Sequence, residues 1–514
     1  MFPSNAQLDA LTWSLGSSAL QLAPELVLCT GIVVLLVLRM LSGGSRLATM
    51  TTGTAFVFVA LLVAVYQLMA DASAGSIFQG MLVADSFALV LRPFLLAGTG
   101  LILVLIQASR LSDPWDQADL QVLLLGSTVG LLLMVQVQHL LMLLIAIEMA
   151  GVPTYALAAF PKGRRTGSEA ALKFVVFGAA ASGVMLYGMT LLAGVFGTGY
   201  LPNLVDGIAR RGLDLPVLAG LALLGIGLGF KLSVAPLHLW CPDVFEGATA
   251  EIAGYLATVS KTATGALLLR LLHSLHTVTN DPWQLTDTVG LSLGVVAALS
   301  MTVGNLGAFA QKNLQRLLAY STIAHAGYIL LGVAVVTTSA LQAVVFYLIV
   351  YLLMNLGAFA AIAWVRQTTG RVDLEAVRGL VSRHPLPAVT FTLFLVSLLG
   401  LPPLAGFAAK FQVFLAVYQA GQAATEVRPV FQLAWYTLLG IALVNTVISA
   451  YYYLRVVRAM ILDPPTDPEI PAPQNHSTAS TQLLLVLLGL AILILGIYWQ
   501  PLTALCHIAA NAFS

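Results

Sequence analysis

Long apolar stretches alternate with short polar links along the whole chain, and the length of those stretches sets the first expectation. A helical bilayer span needs about 20 apolar residues, a length that predicts fourteen spans here. The first three run at 20–41, 48–70 and 86–109, followed by the polar link RLSDPWDQADL. The fourth and fifth share 118–160, divided at the polar turn from Gln136 to His139, and the sixth to eighth lie at 168–196, 215–240 and 248–273. The ninth to eleventh are expected at 285–309, 314–337 and 340–366. The twelfth is expected at 386–420 with a break at 401–403, and the last two near 431–461 and 481–505. No strand is expected. The pattern reads as an all-α polytopic membrane protein, a single membrane domain over 1–514. Within it we expect an N-terminal three-helix part (1–117), a first repeat (118–273), a second repeat (285–461) and a C-terminal helix (481–505).

The repeat rests on interruptions rather than on residue identity. Spans four to eight form one set of five and spans nine to thirteen another. The fourth member of each set is broken by proline, at Pro236 and at Pro402-Pro403, and each carries a lysine, Lys231 or Lys410. Proline removes a backbone donor and clashes with the preceding turn. Five is odd, so the second set inserts upside down relative to the first, the arrangement by which many transporters build an ion site at mid-membrane.

Composition agrees and excludes other classes. Hydrophobic residues make up 59% and charged residues only 9%, against about 25% charged in a soluble domain. The net charge of +1 and the lack of any Lys/Arg-rich run leave no basic surface for nucleic acid. Cys29, Cys241 and Cys506 lie far apart with no Cys/His cluster, so they read as buried apolar residues, with no bound metal or iron–sulfur cluster expected. The N-terminus lacks the basic region of a signal peptide, so the first apolar run is expected to be retained. The run GLGFK follows no strand and reads as helix packing rather than a nucleotide loop.

Basic residues orient the bundle, because cytoplasmic loops carry their excess. The odd-numbered loops hold fourteen of the 23 Lys and Arg residues and the even-numbered loops four, Arg210, Arg211, Arg270 and Arg428. The other five, Arg92, Lys173, Lys231, Lys261 and Lys410, fall within spans. Both termini are therefore expected on the non-cytoplasmic side.

Charges inside spans carry the candidate chemistry. A lysine at the centre of a membrane helix costs about 2.5–3.5 kcal/mol on insertion scales, so such residues face a polar interior or an ion path. Glu148, deep in the fifth span, reads either as a protonated helix contact or as the partner of Lys231. Lys261 and Lys410 read as further stations, the alternative for Lys261 being a side chain reaching to the interface. His325 and His238 are candidate proton carriers, since imidazole titrates near 6.5, or hydrogen-bonded core residues. Glu169 and Lys173, spaced i, i+4, form an ordinary helix ion pair. Arg92 and Glu25 read as interfacial anchors, and Tyr451 to Tyr453 as an interfacial aromatic belt.

Several stretches together resemble the antiporter-like membrane subunit family of respiratory complex I (NADH:quinone oxidoreductase): SEAALKFVVFGAAASGVMLYG (168–188), GLGFKLSVAPLHLWCPDVFEGA (227–248), VSKTA (259–263), LLAYSTIAHAGY (317–328), NLGAFA (355–360) and LPPLAGFAAKF (401–411). Within that family, lysine rather than glutamate in the twelfth span, and no long lateral helix after the fourteenth, resemble the subunit N branch. The resemblance implies fourteen helices with two inverted five-helix repeats, broken helices 7 and 12, and proton translocation along a hydrated axis. It places the relay on Glu148, Lys231, Lys261 and Lys410, with His325 at a polar axis position. It also implies a bacterial-type inner (cytoplasmic) membrane, other membrane and peripheral subunits as partners, and no cofactor in this chain. NADH, FMN, iron–sulfur clusters and quinone are then expected in partner subunits. The rival expectations are a subunit of a multisubunit Na+/H+ antiporter or membrane-bound hydrogenase, and a scaffold that spaces other subunits. One departure stands out: after EGA the family continues with a PTP segment, whereas this chain reads Thr249-Ala250-Glu251.

Overall fold

The computed structural model describes residues 16, 18–41, 46–73, 75–109, 111, 116–160, 165–276, 282–424, 429–465 and 479–513. Most of the N-terminal stretch read for a leader, part of the RLSDPWDQADL link, and the loop cations Arg110, Lys162, Arg164 and Arg428 lie outside the described residues.

Thirteen described helices are long and apolar enough to cross a membrane. The first five spans are Ala23–Leu41, Arg46–Met69, Ser86–Ser109, Gln117–Met134 and Leu140–Ala158. The sixth is Arg165–Phe196, and the seventh is split into Leu215–Leu232 and Trp240–Gly247. The eighth is Ala250–Ala257 and Val259–His276, joined at Thr258. The ninth to eleventh are Pro282–Ala308, Leu314–Ala334 and Thr338–Thr369. The twelfth is the pair Pro385–Leu399, too short to span alone at 15 residues, and Ala405–Ala423, and Pro429–Ile461 and Ala479–Ile497 complete the bundle.

Three local features depart from the sequence reading. A hairpin pairs Gly75–Ile77 with Leu82–Ala84, so the expectation of no strand fails. Its tip carries Phe78, Gln79 and Gly80 at positive φ, a tight turn that a 20-residue hydropathy window averages away. An amphipathic helix, Leu201–Arg211, follows the sixth span and buries Leu201, Leu204, Val205 and Ile208. The last apolar run ends at Ile497, and a separate helix, Gln500–Ala510, starts after Trp499 with Pro501 in its first turn.

The two breaks are built alike. Leu215–Leu232 is capped at its start by Asp214, whose carboxylate accepts from Val217 N at 3.2 Å. It ends at Ser233, left-handed at φ 63°, with Val234 N bonded back to Gly229 O at 3.0 Å. Pro385–Leu399 ends at Gly400, left-handed at φ 90°, with its N–H bonded to Ser397 O at 3.0 Å and Leu401 N bonded to Val396 O at 3.3 Å. Both are the left-handed stop that satisfies orphan helix carbonyls. One X–Pro bond in each break is cis, Ala235-Pro236 and Pro402-Pro403.

Close helix packing repeats as well. A Cβ on Gly130 of the fourth span would stand 2.3 Å from Ala150 N of the fifth, and one on Gly304 of the ninth 2.5 Å from Ala324 N of the tenth. Position 304 minus 130 and 324 minus 150 both give 174, so the same glycine-to-backbone contact recurs in both halves. Small residues at such contacts let membrane helices approach closely. The eleventh span, 32 residues long and buried along almost its whole length, is the pillar against which the third, eighth, tenth, twelfth and fourteenth spans pack. At about 1.5 Å per residue it is far longer than a ~30 Å hydrocarbon core. It therefore extends beyond the apolar layer.

Candidate functional site

The axis begins in the fifth span. Glu148 is half-buried and receives a short hydrogen bond from Ser182 of the sixth span. Lys231 lies in the last turn of the first half of the seventh span, where the negative end of the helix dipole favours a cation. Its Nζ sits against Gly151, one turn beyond Glu148, where an added Cβ would be 3.4 Å from it, with Tyr155 Oη at 3.5 Å. The Glu148 charge acts on both Lys231 and Tyr155. The expected Glu148–Lys231 ion pair is not closed, however: no nitrogen–oxygen contact within 4.0 Å joins them, and Ser182 holds the carboxylate instead. Hydroxyl and ammonium compete for one acceptor, which sequence spacing cannot resolve.

The next station is more deeply placed. Lys261, 1% exposed, follows the discontinuity at Thr258, and its Nζ has no hydrogen-bond partner in the protein. The nearest aromatic face, Phe245 of the broken seventh span, is 6.0 Å away. The Lys261 charge reaches His238 and Cys241 in the seventh-span break on one side and His325 on the other. His238 Nδ1 and Ser233 Oγ are likewise buried without protein partners. Buried polar atoms in that condition require water, so the break is a polar, water-demanding junction.

His325 of the tenth span joins this junction to the second break. Its Nδ1 is 2.7 Å from Tyr347 Oη of the eleventh span and its Nε2 3.3 Å from Tyr453 Oη of the thirteenth. Tyr453 continues to Ser321 by a short hydrogen bond, and Tyr328 Oη to Thr446 Oγ1 at 3.1 Å. The Lys410 charge also reaches His325. Lys410 donates to Leu399 O at 3.0 Å and lies 4.6 Å over the Tyr328 ring. Leu399 is the last residue of the first half of the twelfth span, so the ammonium neutralises an orphan carbonyl there.

Lys231 and Lys410 are thus counterparts in place but not in sequence. Measured from the left-handed residue of each break, Lys231 comes two positions before Ser233 and Lys410 ten after Gly400. A side chain reaching back across the break brings Lys410 to the same helix end. At the repeat offset of 174, Glu148 corresponds to Thr322, so the second half places no carboxylate there; His325 follows one turn later.

Four other expectations are corrected. Arg92 and Glu25 are not interfacial anchors but a buried ion pair at 2.6 Å, with Gln136 Nε2 donating to the other Glu25 oxygen at 2.8 Å. Neither position is at a lipid boundary: Arg92 is 0% and Glu25 4% exposed. Arg270 is not a loop residue: it is buried at the end of the eighth span, bidentate to Asp85 at 2.7 and 2.8 Å, with Val135 O at 2.8 Å. Of Tyr451 to Tyr453 only Tyr451 faces outward, since successive helical residues turn about 100°. Tyr452 and Tyr453 are 1% exposed. Cys29 is exposed on the first span, while Cys241 and Cys506 are buried. Glu169 and Lys173 do pair, at 2.8 Å, and Lys173 also reaches Asp243 at 2.8 Å. The reading of the sequence missed Ser182, Tyr347, Tyr351 and Tyr453. The i, i+4 spacing of Tyr347 and Tyr351 in an otherwise apolar span was the available signal. Among the described residues no group of three or more His, Cys, Asp or Glu is placed to hold a metal.

Comparison with known proteins adds a second line. Residues 137–434 match the family described as NADH:quinone oxidoreductase/Mrp antiporter, transmembrane. The chain is 37% identical over 511 residues to "NADH-quinone oxidoreductase subunit N" of Anaeromyxobacter sp. (strain Fw109-5), covering 94% of this chain and 95% of that relative. Among solved structures it is 31% identical to a chain of respiratory complex I from Thermus thermophilus with bound aureothin, covering 94% of this chain and 98% of that one at a TM-score of 0.76. A chain of the Mrp complex from Dietzia sp. DQ12-45-1b gives a TM-score of 0.80 at 23% identity, covering 96% and 97%. That likeness concerns the fold alone.

Proposed function

The chain belongs to the antiporter-like membrane subunits of NADH:quinone oxidoreductase, in the subunit N family, and from that premise we propose that it translocates protons through Glu148, Lys231, Lys261, His325 and Lys410, with His238 at the first break. The observation that carries the assignment is Lys261: an ammonium buried in the membrane with no protein hydrogen-bond partner, between two broken helices that each place a lysine at a half-helix end. A purely structural lysine would be paired. NADH oxidation and quinone reduction, with FMN and iron–sulfur clusters, belong to partner subunits, and this chain supplies proton transfer to the enzyme complex.

The geometry supports a switch at the head of the relay. Glu148 held by Ser182 acts on the Lys231 ammonium only through space, whereas Glu148 turned to Lys231 stabilises it by direct contact. Two unit charges at 4 Å attract by about 4 kcal/mol at an effective dielectric near 20, enough to move a proton equilibrium by several hundredfold. A charge change in a neighbouring subunit that opens or closes this pair would load or unload Lys261 next, then His325 with its tyrosine hydroxyls, then Lys410. Both termini are assigned to the non-cytoplasmic side of a bacterial-type inner membrane, on the excess of Lys and Arg in the odd-numbered loops.

The test is Lys231→Ala in the assembled complex, reconstituted into vesicles, with quinone reduction and proton pumping measured together. Both fall if the relay operates; normal values of both refute it. The rival assignment to a Na+/H+ antiporter or hydrogenase predicts different copurifying subunits, which mass spectrometry of the isolated complex identifies.

A further inference from the structure

The sequence departure at Thr249-Ala250-Glu251 has a structural counterpart. Glu251 begins the eighth span, is 0% exposed, and pairs through Oε1 with Arg366 Nη2 of the eleventh span at 2.7 Å. Arg366 in turn lines an open cavity of about 470 Å³ at the end of the bundle, together with Lys173, Asp243, Glu246, Arg316 and Arg371. The charges facing the pair are thus Lys173 and Glu169 from the sixth span, Asp243 and Glu246 from the seventh, and Arg316 from the tenth, with Arg371 from the segment after the eleventh. Most of these are already paired with one another: Arg316 with Asp243 and Glu246, Lys173 with Glu169 and Asp243. Arg366 is the cation bonded to Glu251.

From this pair a polar seam runs inward between the eighth and eleventh spans, which pack directly on each other, Gly254 against Phe359. On the eighth span Glu251, Thr258 and Lys261 fall at i, i+7 and i+10 on one side of the helix, while Tyr255 turns to Ser127 and Thr128 of the fourth span. On the eleventh, Arg366 and Asn355 are eleven residues apart, about three full turns, and so share a face. Asn355 Nδ2 donates to Tyr351 Oη at 2.9 Å, toward His325. Four buried atoms along the seam have no protein partner: Thr249 Oγ1, Glu251 Oε2, Asn355 Oδ1 and Lys261 Nζ. Groups in that state hold water. The ten residues from Glu251 to Lys261 span about 15 Å.

We propose that Glu251 and Arg366 form a gated proton inlet, which carries protons from the charged cavity along this seam to Lys261. The proposal rests on the reading of Lys261 as a proton carrier. A proton from cavity water binds the free Glu251 oxygen, and the neutral acid releases the Arg366 guanidinium. The same proton then passes through seam water to the Lys261 amine, and the regenerated carboxylate pairs with Arg366 again. Only O–H and N–H bonds form and break, and charge balances at each step.

The test uses the assembled complex in vesicles, with the pumping rate measured against pH on the cavity side. E251Q keeps size and polarity but holds no proton; it lowers pumping by about tenfold or more, a part of the ~10²–10⁴ that a positioned acid–base group contributes. It also flattens the pH profile on that side, and E251D restores part of both. Should the single variants fail to assemble, E251M with R366M leaves no buried charge unpaired and gives the same loss. An unchanged rate and pH profile in E251Q overturns the inlet, as does an equal loss in E251Q and E251D with the wild-type profile, which marks a structural pin. K261M separates the two claims. Lost pumping in K261M with normal E251Q refutes the inlet alone; normal pumping in K261M refutes the relay on which it rests.

Discussion

Replacing Lys261 by Met separates stability from function more sharply than any other change in the chain. The side chains are similar in length and volume, so the packing around residue 261 is kept. What the substitution removes is an ammonium with 1% exposure and no hydrogen-bond partner, which lies 6.0 Å from the Phe245 face. A cation–π contact at that distance contributes about 0.5–1 kcal/mol. Taking an ion out of water costs several kcal/mol even after relaxation. The balance favours methionine, so Lys261→Met is expected to leave the thermal stability of the solubilised complex equal to wild type or higher. Proton pumping in the same preparation, reconstituted into vesicles, falls to a small fraction of wild type, because Met carries no proton between the first break and His325. A clear drop in melting temperature with pumping intact would refute the reasoning, since it would mean that the ammonium is held by structural partners and is not a carrier.

Other changes are expected to act through packing and pairing. Arg92→Met alone leaves Glu25 as a buried, half-paired carboxylate and costs about 3–5 kcal/mol, whereas Glu25→Gln with Arg92→Met costs much less; thermal unfolding of the solubilised complex compares them. Gly130→Ala drives a methyl to 2.3 Å from Ala150 N, destabilises by about 1–3 kcal/mol as overpacking does, and reduces pumping by displacing the turn that carries Glu148. Gly183→Ala, with nothing within 4 Å of the added carbon, is neutral or slightly stabilising in both measurements, as helix propensity favours alanine. His325→Phe removes the partner of Tyr347 and one partner of Tyr453. It costs about 1–3 kcal/mol for the unsatisfied hydroxyls and slows pumping, while His325→Gln recovers stability more than it recovers pumping.

The span count, the two breaks and the lysines were legible in the sequence because each violates a strong rule: length sets spans, proline breaks helices, and charge in lipid is costly. Side-chain direction was not. Lys231 meets the fifth span at Gly151, one helical turn from Glu148, yet Ser182 decides which partner the carboxylate takes, and nothing in the spacing of residue 182 announces it. Lys410 arrives at the helix end that Lys231 occupies by reaching back across its break, so a comparison of positions along the chain misplaces it. Arg92 with Glu25 and Arg270 with Asp85 looked peripheral because ion pairs between distant spans have no local signature. Three consecutive tyrosines resembled a belt, but the helical turn sends Tyr452 and Tyr453 inward to Asn305 and His325.

The central claim is that protons pass through this chain by way of the half-buried Glu148 and the buried Lys261. The most direct measurement is the number of protons pumped per NADH oxidised, together with turnover, in vesicles containing the fully assembled complex with Glu148→Gln and, separately, Lys261→Ala. The account predicts that both variants lose most of their pumping, with turnover falling alongside because the steps are coupled. Wild-type pumping and turnover in both would contradict it and leave the chain a scaffold.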